Sequence, residues 1–142
     1  MSLVFFTDRD LGNAFPAALA KSGLAVERHA AHFAPDCPDE EWLQVVGSRG
    51  WVAVTHDSRI RYKPNELDAV VRHRVALLVV VGNVPHAVLA QNFVRTAKRI
   101  QAFVRSHPPP FIAKVHRPSP ADLARNPLAP GSVSLWYPRQ GR

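Results

Sequence analysis

The strongest constraint on the fold is an alternation of short apolar runs with helical patterns. Leu3 to Thr7, Trp51 to Thr55, Val75 to Val81 and Phe111 to Val115 are each of strand length. The segments between them carry apolar residues at three- and four-residue spacing. This order predicts an α/β fold, with a mainly parallel central sheet of four or five strands covered by helices on both faces. The first run is apolar throughout, as expected of a strand buried on both sides. It then ends abruptly in Thr7-Asp8-Arg9-Asp10. Ligands of open α/β sheets bind at the carboxyl ends of the strands. The second run ends in the same way, at Thr55-His56-Asp57.

Local signals set the remaining elements. A helix is expected over residues 13–22, capped by Asn13, with Pro16 in its first turn and Gly23 just past its end. Leu24 to Arg28 reads as a short strand and His29 to Cys37 as a loop. A helix over 38–47 has Asp36 as its cap, and either Gly47 or Gly50 closes it. Asp57 to Lys63 is a basic loop, and a helix runs from Pro64 to Arg72. Val75 to Val81, the most hydrophobic run, belongs near the middle of the sheet. The longest helix is expected over 84–105. Leu89, Phe93, Ala97, Ile100 and Val104 lie on one face, with Arg95, Lys98, Arg99 and Arg105 opposite. Ser132 to Tyr137 is expected as a strand pairing antiparallel with 111–116, a C-terminal β appendage. The 142 residues are divided into a domain over 1–116 and a Pro/Arg-rich, partly ordered extension over 117–142.

Composition narrows the setting. A hydrophobic fraction of 46% with 20% charged residues argues against disorder. Cys37 is the single cysteine, so no internal disulfide forms, which fits a reducing cytosol. No apolar run approaches the ~18 residues of a membrane span, and no basic leader precedes the first run. A cytoplasmic protein without membrane attachment is expected. Residues 1–68 hold 7 Lys/Arg against 10 Asp/Glu, whereas residues 69–142 hold 11 Lys/Arg against Asp122 alone. Carboxylates in one half and cations in the other suit a carboxylate site beside a surface that attracts a polyanion.

Asp8 and Asp57 should share one sheet edge. A third acid comes from the helix after Pro38. Asp39 is in phase with Trp42, Leu43 and Val46, the apolar face, whereas Glu40 and Glu41 point away at the ~100° helical step. An acid on the inward face needs a compensating charge. Three carboxylates without a His/Cys cluster make a hard, oxygen-rich site suited to Mg²⁺ or Mn²⁺. Such an ion can lower the pKa of a water and neutralise charge developing on a phosphodiester. Thr7 and Thr55 are candidates to orient the neighbouring acids. No GxxxxGK[ST], GxGxxG or GxSxG motif is present.

Phe6 to Gly12, Pro38 to Leu43, Gly50 to Asp57 and Pro108 to Val115, in that order, resemble the PIN-domain superfamily, specifically the VapC-like toxins of bacterial toxin–antitoxin modules. The resemblance implies a three-layer α/β/α fold and a metal-dependent ribonuclease. It assigns the strand-one acid to Asp8, the helix acid to Asp39 or Glu40, and the Thr-x-Asp acid to Asp57, with Mg²⁺ or Mn²⁺ as cofactor. Arg59 stands where some relatives carry a fourth acid, and Asp10 is the candidate to replace it. Arg9, Arg59, Arg61 and Lys63 are placed to grip RNA phosphates. The resemblance also implies a masking antitoxin and a tendency to dimerise. One alternative is a non-catalytic PIN-like module binding RNA or an antitoxin. A phospho-receiver domain is another, and it leaves Asp39 unexplained.

Overall fold

The structure, a computed structural model, describes residues 3–139. In chain order its elements are β1 (Val4–Thr7), α1 (Ala14–Lys21), β2 (Ala25–Arg28), α2 (His29–His32), α3 (Asp39–Arg49), β3 (Val52–Thr55), α4 (Pro64–Arg72), β4 (Ala76–Val80), α5 (His86–Ser106), β5 (Phe111–His116), α6 (Pro120–Arg125) and β6 (Ser132–Tyr137). The strands form one six-stranded sheet in the order β2-β1-β3-β4-β5-β6. All neighbouring pairs are parallel except β5 with β6. The expected β appendage is therefore the sixth strand of the same sheet.

Side-chain alternation along the strands builds the layers. Phe5 points to one face and joins Phe15, Leu19, Leu89 and Phe93 from α1 and α5. Its neighbour Phe6 points to the other and joins Trp42, Leu43, Val46 and Val70 from α3 and α4. With helices packed on both faces the strands are inaccessible, and β3 and β4 are buried at every residue. Burying one such aromatic or aliphatic side chain contributes about 2 kcal/mol. The sheet is thus the rigid frame, and its strand ends are fixed in position.

Several local expectations change. Asn13 occupies the cap position of α1 but its side chain makes no capping bond, because its backbone is already helical. Asp36 does not cap α3. Pro38 holds that position, and no side-chain capping bond is made there. Gly47 lies inside α3, where a Cβ would stand 2.2 Å from the His73 carbonyl oxygen, so it serves close packing against the end of α4. Gly50, at φ +68°, is the residue that ends the helix. The segment expected as a loop after β2 contains α2, a single turn. The basic loop after β3 contains a 3₁₀ turn, Ile60–Tyr62, anchored by fully buried Ile60. The C-terminal extension contains α6, which starts with a Ser119/Asp122 capping box. Arg99 donates to the Gly131 carbonyl at 2.8 Å, so this member of the basic α5 face holds the extension. Among the described residues no helix is long and apolar enough to cross a membrane.

Candidate metal centre

β1 and β3 are neighbours, so their carboxyl ends meet. The Asp8 N–H bonds the Val54 carbonyl at 2.9 Å, which carries the ladder one residue past β1 and pins the Asp8 backbone. One Asp8 oxygen then accepts from the Arg9 N–H at 2.7 Å, capping the 3₁₀ turn Arg9–Leu11. That turn swings Asp10 back over the end of β3. There the Asp10 carboxylate accepts from the His56 N–H at 3.1 Å. Asp10 has an exposed outer surface, but its carboxylate is turned inward.

Thr55 joins the two acids. Its Oγ1 lies 2.8 Å from Asp8 Oδ2 and 3.1 Å from Asp10 Oδ2. The same oxygen accepts the Asp57 N–H at 3.2 Å. A hydroxyl has one hydrogen to donate, so it satisfies one carboxylate at a time. Burial, the Asp10 charge and, more weakly, the Asp39 charge push the Asp8 carboxyl up to about 7, against the Thr55 and Arg9 bonds. Burial also raises Asp10, with the Asp57 charge adding to it, in opposition to the Thr55 and His56 bonds. Among the described residues neither acid has a Lys or Arg ion pair.

Asp57 has a different environment. Lys63 Nζ donates to its Oδ2 at 2.5 Å, and the Arg59 N–H donates to its Oδ1 at 3.0 Å. Burial acts to raise its pKa, but the Lys63 bond and charge, with Arg59, carry it below the usual carboxylate range. Asp39, in the first turn of α3, accepts from the Trp42 indole N–H at 2.9 Å. Trp42 is fully buried and stacks on Phe6 with ring centroids 5.3 Å apart. A core side chain therefore fixes the direction of a surface acid. Beside it, His29 packs against the same rings and is nearly inaccessible, with its Nδ1 unpartnered.

Asp8, Asp10, Asp39 and Asp57 all line one open cleft of about 510 Å³, with Arg9, His56, Ser58 and Arg59 on its walls. Glu40 is exposed outside this lining. Thr7 is buried on β1, and the contacts to the acids are made by Thr55. Arg61 and Lys63 follow along the 3₁₀ turn, where Lys63 is spent on Asp57. Among the described residues, no three His, Cys, Asp or Glu side chains stand as a group that could hold a metal ion. The donor chemistry nevertheless fits a hard divalent cation at the Asp8–Asp10 pair: two inward, adjacent carboxylates share one hydroxyl hydrogen and lack a protein cation. Asp39 is the further oxygen donor on the cleft wall.

Sequence reading underrated Asp10, although the Asp-x-Asp spacing across a tight turn is its signal. It also missed Trp42 as the donor to Asp39, despite the i, i+3 spacing, and Lys63 as the partner of Asp57. The family model for a PIN like domain matches residues 3–82. That span is more than half of the chain and contains all four cleft acids. No curated protein and no solved structure matches the chain. From the match over β1 through β4, the chain belongs to the PIN-like domain family.

Proposed function

We propose that the protein is a metal-dependent endoribonuclease, with Asp8, Asp10 and Asp39 as the carboxylates that hold Mg²⁺ or Mn²⁺. PIN-like domains have a nuclease-type fold and typically use divalent metals. The observation that carries this reading is the Asp8–Thr55–Asp10 arrangement, two uncompensated carboxylates at a strand-end cleft. When bound, the ion supplies positive charge against a phosphodiester and increases the acidity of a water. The chain's own residues do the remaining work. Thr55 and the His56 amide hold the acids in register, and the Trp42 indole aims Asp39. Arg9 and Arg59, both exposed on the cleft wall, bind phosphate oxygens. Asp57, neutralised by Lys63, positions the loop that carries Arg59.

The direct test is cleavage of an RNA by the purified protein with Mn²⁺ and with a chelator. Mn²⁺-dependent cutting that is lost in Asp8→Asn and Asp10→Asn supports the assignment, and equal cutting by either variant overturns it. The reading extends to the toxin member of a toxin–antitoxin pair on the strength of the residue-level resemblance. Growth arrest on induction, abolished by Asp8→Asn, is the expected sign. A second reading, a non-catalytic RNA- or antitoxin-binding module, draws support from the Lys63–Asp57 ion pair, which occupies a cleft acid with a protein cation. Mn²⁺ binding by calorimetry separates the two, since the binding module predicts none.

A further inference from the structure

Beside the acidic cleft lies a cluster of aromatic rings and cations that the proposed active site does not use. Tyr62, at the end of the 3₁₀ turn, is 66% exposed. Its ring meets Trp136 of β6 edge-on, with centroids 5.7 Å apart. The Arg61 guanidinium stands 5.5, 5.6 and 5.8 Å from the ring centres of Tyr62, Trp136 and Tyr137. Lys114 of β5 places its ammonium 4.1 Å from the Trp136 ring. Trp136 and Tyr137 are half-buried and also pack on the core of the α3–α4 face. Fastening β6 to the sheet is therefore sufficient explanation for those two rings. It does not explain Tyr62, which leaves most of its surface in water.

Two grooves connect this cluster to the cleft. One, of about 430 Å³, is lined by Arg59, Tyr62 and Lys63 and shares Arg59 with the cleft. The other, of about 370 Å³, reaches Lys114 and shares His56 and Ser58. Neither groove is lined by a carboxylate. An exposed ring flanked by cations, continuous with a carboxylate cleft, matches how unpaired strands are held. Bases stack on aromatic faces while cations follow the phosphates. A duplex buries its base faces and offers nothing for such a ring to stack on.

We propose that Tyr62, backed by Arg61 and Trp136, is a stacking platform for an unpaired base of single-stranded RNA whose backbone passes Arg59 into the acidic cleft. The proposal rests on the ribonuclease reading for its choice of ligand. The strand comes past β5 and β6, which lie outside the segment matched by the family model. Stacking is insensitive to base identity, so the platform selects for single-strandedness and not for sequence.

The test is fluorescence polarisation of a short fluorescein-labelled oligouridylate with the wild-type protein in EDTA, where no cutting occurs. Binding without metal is expected. Tyr62→Ala should weaken it about tenfold, the effect of losing one base–aromatic stack. Tyr62→Phe should bind like wild type, because the ring stacks and the hydroxyl does not. Unlabelled duplex RNA should compete poorly. No binding in EDTA, equal binding by Tyr62→Ala, or full competition by duplex would each overturn the platform. Tyr62 is exposed, so these variants leave the core intact, and matching melting temperatures confirm it. The outcomes also separate the two proposals. Binding that depends on Tyr62, from a protein that never cuts RNA with Mn²⁺, keeps the platform and removes the nuclease. Mn²⁺-dependent cutting with an unchanged KM in Tyr62→Ala does the reverse.

Discussion

Asp8 and Asp57 leave neighbouring strands at the same sheet edge, yet their surroundings are opposite. Asp8 faces another carboxylate across a single hydroxyl, and burial pushes it up to about 7. Asp57 is held by Lys63 at 2.5 Å and lies below the usual range. One acid is unsatisfied until something positive arrives, whereas the other is already satisfied by the chain. Acidic residues at a strand end thus do not by themselves identify metal ligands. What separates ligand from anchor is whether the fold supplies the countercharge.

The largest expected effect comes from breaking the unsatisfied pair. Asp8→Asn or Asp10→Asn should lower the Mn²⁺-dependent cleavage rate by roughly 10²–10³-fold, the size seen when one preorganised electrostatic contact is removed. Asp57→Asn should cost only about tenfold, because it disturbs the loop and leaves the pair in place. Initial rates on a labelled RNA measure both. Comparable losses in all three variants would erase the distinction.

The pair should also appear in metal-free stability. A carboxyl raised in the folded state binds its proton more tightly there than in the unfolded chain. Its contribution is most favourable below the unfolded value near 3.8 and is lost as pH rises towards about 7. Asp57 has the opposite sign, stabilising above its unfolded value and losing that contribution on acidification. In EDTA the melting temperature should therefore fall between pH 5 and pH 8 (roughly 3 pK units of Asp8 shift, at most about 4 kcal/mol). Asp8→Asn should flatten that decline and be the more stable protein at pH 8. A wild-type melting temperature that rises over this interval would contradict the assignment.

Much of this was legible in the sequence, and what was not depended on tertiary placement. Strand-sized apolar runs gave the sheet, and helical phase gave Asp39 its inward face. The Lys63 clamp was hidden because it needs the chain from 57 to 63 to turn back on itself, and buried Ile60 is what anchors that turn. Asp10 was underrated because only the 3₁₀ turn after Asp8 brings it to Thr55. The α2 turn, His29-Ala30-Ala31-His32, carries no side-chain cap and so no local signal. Gly47 read as a helix end because its reason for being there, the His73 carbonyl, lies on another element.

Smaller changes sharpen the comparison. Trp42→Phe keeps a core ring but removes the N–H that aims Asp39. Cleavage should fall up to about tenfold, with a stability loss of about 1 kcal/mol. Lys63→Met converts Asp57 from anchor to unsatisfied acid. Because Lys63 is 36% exposed, solvent screens the pair and its loss should cost less than about 1 kcal/mol. Mn²⁺ affinity should increase in this variant, which calorimetry can read.

Mn²⁺ titration calorimetry on wild type, Asp8→Asn and Asp57→Asn across pH 5 to 8 tests the central claim most directly. Wild type and Asp57→Asn should both bind, with affinity increasing as pH approaches and passes about 7, while Asp8→Asn should not bind. Loss of binding in Asp57→Asn with retention in Asp8→Asn would contradict the account.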